Sequence, residues 1–103
     1  AMLEHFAFMK RYYPEGNAAE PYNVAGRIYA ATLVQVLTQC GNELTRENVM
    51  RQAENLHDFT HPLMLPGIKV NTGPADHYVI EQVQLQRFDG KEWVRFGEIL
   101  SGN

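Results

Sequence analysis

Hydrophobic and polar positions along the chain divide it into a helical first half and a strand-patterned second half. Leu3 to Tyr13 carries apolar residues at helical spacing, with Leu3, Phe6, Ala7 and Met9 or Tyr13 toward a core and Glu4, Lys10 and Arg11 outside. Pro14 and Gly16 stop that helix, and Pro21 stands where a second one begins. From Tyr22 to Cys40 the pattern is apolar on most of the circumference. Val24, Ala25, Ile28, Tyr29, Ala30, Ala31, Leu33, Val34, Val36 and Leu37 leave only a thin polar stripe at Arg27, Gln35, Thr38, Gln39 and Asn42. A helix of that kind requires cover on several sides. Gly41 and Asn42 supply its stop. Thr45 caps a third helix, with Leu44 and Val49 at staple positions and Val49, Met50, Ala53 and Leu56 as the buried stripe; it is predicted to end near His57, ahead of Pro62.

The period then changes. Met64, Leu65, Ile68, Lys69 and Val70 read as short extended stretches about a Pro66, Gly67 kink, and Asn71 to Pro74 as a loop. Tyr78 to Phe88 and Lys91 to Leu100 flank Asp89, Gly90, the signal for a two-residue hairpin turn. That turn predicts Phe88 facing Lys91, Arg87 facing Glu92, Leu85 facing Val94 and Val83 facing Phe96, so Val83, Leu85, Val94 and Phe96 form a core face. The fold class is therefore α/β, three helices followed by short strands and a C-terminal β-hairpin. Organisation is a single unit over 1–103: a helical part at 1–61, short strands at 62–77, and the hairpin at 78–103, which the resemblance given below implies to be a partial domain with a crossover at 62–77.

With 103 residues and a net charge of -3, the chain is about one domain with scattered Lys and Arg, which argues against nucleic acid as a partner. Cys40 is the single cysteine, so no internal disulfide forms; it is expected to be a small buried hydrophobe rather than a reactive thiol. The first residues lack the basic, apolar and small-residue pattern of a secretory signal, and Ala1 before Met2 looks like a tag remnant. Arg27 and Gln35 interrupt the one apolar stretch that approaches membrane length, so no membrane insertion is expected.

Chemistry is sparse. His57 and His61 have the spacing of a helical metal pair, but Pro62 pushes His61 out of helical backbone and no third ligand is near in sequence. Asp76 and His77 lack a nucleophile, and neighbours in extended chain point apart. Arg27, Lys69, Arg95 and Glu98 read as a solvated rim. The five tyrosines, Tyr12, Tyr13, Tyr22, Tyr29 and Tyr78, could line an aromatic pocket, although packing is the expected role of each. No enzyme activity, metal or cofactor is expected.

Taken in order, several segments carry a resemblance: Phe8 to Tyr13 with Pro14; the small and apolar helix Tyr22 to Leu37; Leu44 to Val49; Leu65 to Asn71; and Arg87 to Phe96. The chain resembles the C-terminal third of the type I periplasmic solute-binding proteins of ABC importers, the leucine/isoleucine/valine-binding protein family. The resemblance implies two α/β lobes joined by crossover strands in a full-length protein that binds an amino acid or small organic acid and delivers it to an ABC permease. It implies that the helices here belong to one lobe, that the hairpin returns to the other, and that the sheet meant to cover the apolar helix lies outside these residues. Tyr22 matches the family's pocket-lining aromatic, the one ligand-binding residue carried over. The carboxylate-holding loop of the first lobe has no counterpart, so the chain alone is not expected to bind ligand. It is expected to be a terminal portion, either excised or a truncated reading frame starting at Met2, periplasmic by resemblance or cytoplasmic if truncated, and to form homo-oligomers. The alternative is a stand-alone homo-oligomeric structural or interaction protein that keeps part of the fold.

Overall fold

The structure is a computed structural model and describes residues 1–102. Helices α1 (Met2–Tyr12), α2 (Pro21–Cys40) and α3 (Arg46–Ala53) precede strands β1 (Gln82–Val83), β2 (Gln86–Phe88), β3 (Trp93–Arg95) and β4 (Leu100–Ser101). Pro21 occupies the first turn of α2, where its missing N–H costs nothing, and Gly41 closes the helix with a φ of +59°. Thr45 caps α3 as the sequence predicts, its hydroxyl accepting from the Asn48 N–H at 3.1 Å. Leu44, predicted to staple onto Val49, stays 67% exposed.

α3 ends at Ala53, short of the predicted His57, because Thr72 intervenes. The Thr72 hydroxyl donates to the Ala53 carbonyl at 2.7 Å and accepts from the Leu56 N–H at 2.9 Å, while the Thr72 N–H bonds the Leu56 carbonyl. Backbone groups freed at the helix end are thereby satisfied by a loop sixteen or more residues away. Two residues past Leu56, Asp58 adopts a φ of +51°, held by its N–H bond to Asn71 Oδ1. The result drops Leu56 into the core.

That core is small. Val36 of α2, Leu56, and Met64, Ile68 and Val70 from the following loops are buried together, with Ile28, Val49, Ala53, Phe59, Leu65 and Ile99 packed around them. Segment 62–77, predicted to hold short strands, is built of turns: Phe59 and Val70 form an isolated antiparallel bridge, and Gly73 and Asp76 form another. Pro66 and a Gly67 at φ +89° break the extended run before it can pair.

The hairpin differs from its predicted register by two residues. Phe88 pairs Trp93, Arg87 pairs Val94 and Gln86 pairs Arg95, with Gly90 and Lys91 at the turn centre in place of Asp89 and Gly90. Asp89 takes the outer position because its carboxylate accepts from both the Lys91 and Glu92 N–H groups at 2.8 Å. Those two backbone donors, Glu92 first, hold its pKa below the usual aspartate value. A two-residue slip keeps each side chain on its face. Further down, Val83 pairs Leu100 and Gln82 pairs Ser101, so Gly97, Glu98 and Ile99 form a bulge opposite Gln84. Gln84 Nε2 donates to the Gly97 carbonyl, and Ile99 is turned onto Gly67. The predicted core face of the hairpin is a correction: Val83, Leu85, Val94 and Phe96 are each at least 44% exposed, since among the described residues no helix or further strand packs over them.

Replacing Thr72 by Val, which preserves shape, removes both hydroxyl bonds and leaves the Ala53 carbonyl and Leu56 N–H unpaired. The expected loss is about 1–3 kcal/mol, read as a lower urea midpoint with an unchanged denaturant slope.

Candidate interaction surface

Arg27, Gln35 and Gln39 of the α2 polar stripe face their own chain, and much of the apolar circumference faces outward. Gln39 donates to the Gln52 side chain at 3.2 Å and to the Asn55 carbonyl at 3.2 Å, and Gln35 donates to Gln39. Arg27, read from sequence as a solvated rim charge, is instead a clamp. Its guanidinium makes two bonds to Glu4, at 3.1 and 3.2 Å, and lies 4.0 Å from the Phe8 ring centroid, with its side chain only 18% exposed. Meanwhile Tyr22, Gly26, Tyr29, Ala30, Leu33, Val34, Leu37 and Thr38 are exposed, Tyr29 at 71% and Leu33 at 55%. These positions carry no charge. An amphipathic helix on a free surface has the opposite arrangement.

Gly26 sharpens the point. A glycine inside a helix costs about 1 kcal/mol relative to alanine, yet a Cβ at Gly26 would meet nothing within 4 Å. This chain's own packing does not require it.

Global dimensions agree. The radius of gyration is 16.3 Å, against about 13 Å for a compact domain of this length. The molecule is a slab of 51 × 39 × 16 Å. Its accessible surface is 7923 Å², whereas a compact monomer of its mass exposes about 5,900 Å², an excess of about 2,000 Å².

α1 is attached differently from its prediction. Leu3 is 84% exposed and Phe6 41%; the buried residues are His5 and Met9. His5 is fully buried, and its Nε2 carries the hydrogen that donates to the Ala18 carbonyl at 3.0 Å, because a carbonyl can only accept. Its Nδ1 has no partner. A lone histidine among apolar neighbours gives no sequence signal for this role. Asn48 is equally silent in the sequence: it is buried, its amide donating to the Glu43 carbonyl at 2.8 Å and the Cys40 carbonyl at 3.4 Å, and it ties α3 to the end of α2. Cys40 is buried beside it, as predicted.

The histidine candidates are directed apart. His57 bonds Asn55 Oδ1 at 2.8 Å, while His61 Nδ1 accepts from the Leu63 N–H at 3.1 Å. His77 reaches across to Glu54 at 3.0 Å, and Asp76 accepts from the Tyr78 N–H instead of orienting His77. Lys69 stands 3.9 Å from Asp58. All five tyrosines are exposed, which corrects the packing role expected of them. Tyr22 sits on the outermost part of the first turn of α2 at 84% exposure and lines none of the cavities described here.

Besides an open groove of about 680 Å³ between Pro66, Ile99 and the Trp93 to Arg95 strand, two smaller crevices flank the body. A polar one of about 260 Å³ is bordered by Lys69, Asn71, Asp76, Tyr78, Glu81 and Gln82, and an apolar one of about 160 Å³ runs beside α2 between Ile28, Tyr29, Thr32, Val70, Val79 and Ile80. The second continues the exposed α2 face toward the core through Val70. No helix is long and apolar enough to cross a membrane among the described residues. No protein-family model matches the chain, and no curated protein or solved structure matches it either.

Arg27 holds the Glu4 carboxyl below its usual pKa, chiefly through the direct hydrogen bonds. A depressed carboxylate favours the docked state above its unfolded pKa, and that contribution is lost as pH falls through the folded value. Amide exchange in α1 is therefore expected to accelerate, relative to α2, below the ordinary glutamate range and to be unchanged around neutrality; Arg27→Met is expected to show the fast exchange at both.

Proposed function

We propose that this chain is the C-terminal portion of an ABC-importer solute-binding protein for amino acids or related small organic acids, acting in the periplasm beside its permease. The observation that carries this reading is the uncharged outer face of α2, a surface suited to lie against a β-sheet that these residues do not contain. Three further features support it: the order of the segments that resemble the leucine/isoleucine/valine-binding family, the flat and extended shape, and the hairpin whose two faces are both uncovered. Tyr22 is the residue proposed to touch ligand, and only in the full-length context; its outward position on the first turn of α2 leaves it free to border a cleft formed by other lobes. The role is binding rather than catalysis. With the carboxylate-holding loop absent, the chain by itself has no means of fixing an amino acid.

The second reading is a stand-alone homo-oligomeric interaction protein that retains part of this architecture. The excess of about 2,000 Å² of surface favours it equally, because a second copy would serve as cover.

Titration calorimetry with leucine, isoleucine, valine and phenylacetate separates the two. The isolated chain is expected to give no saturable heat, and the same chain joined to in-frame upstream lobes is expected to bind. Failure of the joined chain to bind any of these ligands would overturn the first reading.

A further inference from the structure

We propose that, in the isolated chain, the outer face of α2 is a two-fold homodimer interface in which two α2 helices pack antiparallel. Gly26 of each copy lies opposite Leu37 of the other, and Ala30 opposite Leu33. The proposal rests on the uncovered helix of the preceding section but not on the transport role assigned to it.

The occupant follows from the order of side-chain sizes along the face. Tyr22, Gly26, Ala30, Leu33, Leu37 and Gly41 recur at intervals of four, four, three, four and four, so they stay on one side of α2 and its end. Reversing this series about its midpoint between Ala30 and Leu33 sets each large residue against a small one. Tyr22 meets Gly41, Gly26 meets Leu37, and Ala30 meets Leu33. A second copy of the same helix therefore supplies the complementary shape, which is the condition for a closed two-fold contact. The small positions are open in the monomer: a Cβ at Gly26 or at Gly41 would have no neighbour within 4 Å. They leave room for the partner's side chains at a helix separation of about 8 Å.

Charge is consistent with this occupant. The exposed positions of α2 from Tyr22 to Thr38 include no ionisable group that would be desolvated or repelled by its own copy, apart from the weakly acidic tyrosine hydroxyls, and antiparallel helix dipoles attract. Area is sufficient as well. The whole molecule exposes about 2,000 Å² more than a compact monomer, shared between this face and the hairpin, against the roughly 800 Å² that each partner contributes to a standard interface. The apolar crevice at Tyr29, Val79 and Ile80 adjoins the same face and extends the surface available for cover.

Sedimentation equilibrium on the full chain tests this. A concentration-dependent dimer is expected, and Leu33→Glu, which sets two carboxylates beside the two-fold axis, is expected to weaken dimerisation at least tenfold. Because Leu33 is 55% exposed in the monomer, circular dichroism of the variant is expected to match the parent. Leu3→Glu, at an 84% exposed position on α1, is expected to leave dimerisation intact. Register is read by disulfide capture in a Cys40→Ala background: mixing Ala30→Cys and Leu33→Cys chains is expected to give the mixed disulfide in excess over either symmetric one. A monomer throughout the micromolar range, a dimer indifferent to Leu33→Glu, or symmetric Ala30→Cys capture exceeding the mixed product would each overturn the proposal. None of these outcomes bears on whether upstream lobes create a ligand site, so the two readings fail separately.

Discussion

A single geometric constraint governs this molecule: one long helix can be covered along only one side by the side chains that the rest of the chain supplies. Val36 and Cys40 are the two residues of α2 that are buried, and the cover comes from Leu56, Met64, Ile68 and Val70, all in segments held by loops rather than by sheet. The helices around that cluster are also tied together by polar clasps. Arg27 grips α1, Asn48 ties α3 to the end of α2, and Thr72 joins the end of α3 to the loop that completes the core. Such clasps are directional and individually modest, so they fix where elements sit without hiding much apolar surface.

Much of the secondary structure is legible in the sequence because local chemistry decides it. Pro21, Gly41 and Thr45 set helix ends by effects that operate within one turn, and all three act in the structure as the sequence implies. Departures from the expectation have two origins. At Ala53 a distant residue intervenes, since no local signal announces that Thr72 will cut α3 short, whereas in the hairpin two local options compete and Asp89, by gathering the amides two and three residues on, moves the turn by one position. Alternation along the strands reports which residues share a side, not whether anything lies against that side. Hence the predicted core residues Leu85 and Phe96 remain exposed.

The candidate surface is legible in outline for a related reason. An apolar circumference is visible in sequence, and the need for cover follows from it. Which part of the circumference stays bare is a tertiary property. It is decided by the inward turn of Gln35, Gln39 and Arg27, polar residues that a free-standing helix would present to water. His5, fully buried behind α1, illustrates the converse: a side chain whose importance depends wholly on a carbonyl thirteen residues away.

The bulge at Gly97 to Ile99 has a consequence for how the molecule breathes. Among the described residues, Ile99 is the hairpin's sole side chain packed against the core cluster, and it rests where a Cβ on Gly67 would come within 3.3 Å. The arm is thus joined to the body at its root and is self-supporting beyond it, through the Phe88 and Trp93 rings at 5.5 Å and the Asp89 turn. Two tiers of opening follow. Fraying that begins at Arg87 and Val94 can run down to the bulge and halt there, leaving the helices undisturbed, whereas any event that dislodges Ile99 loosens arm and body together.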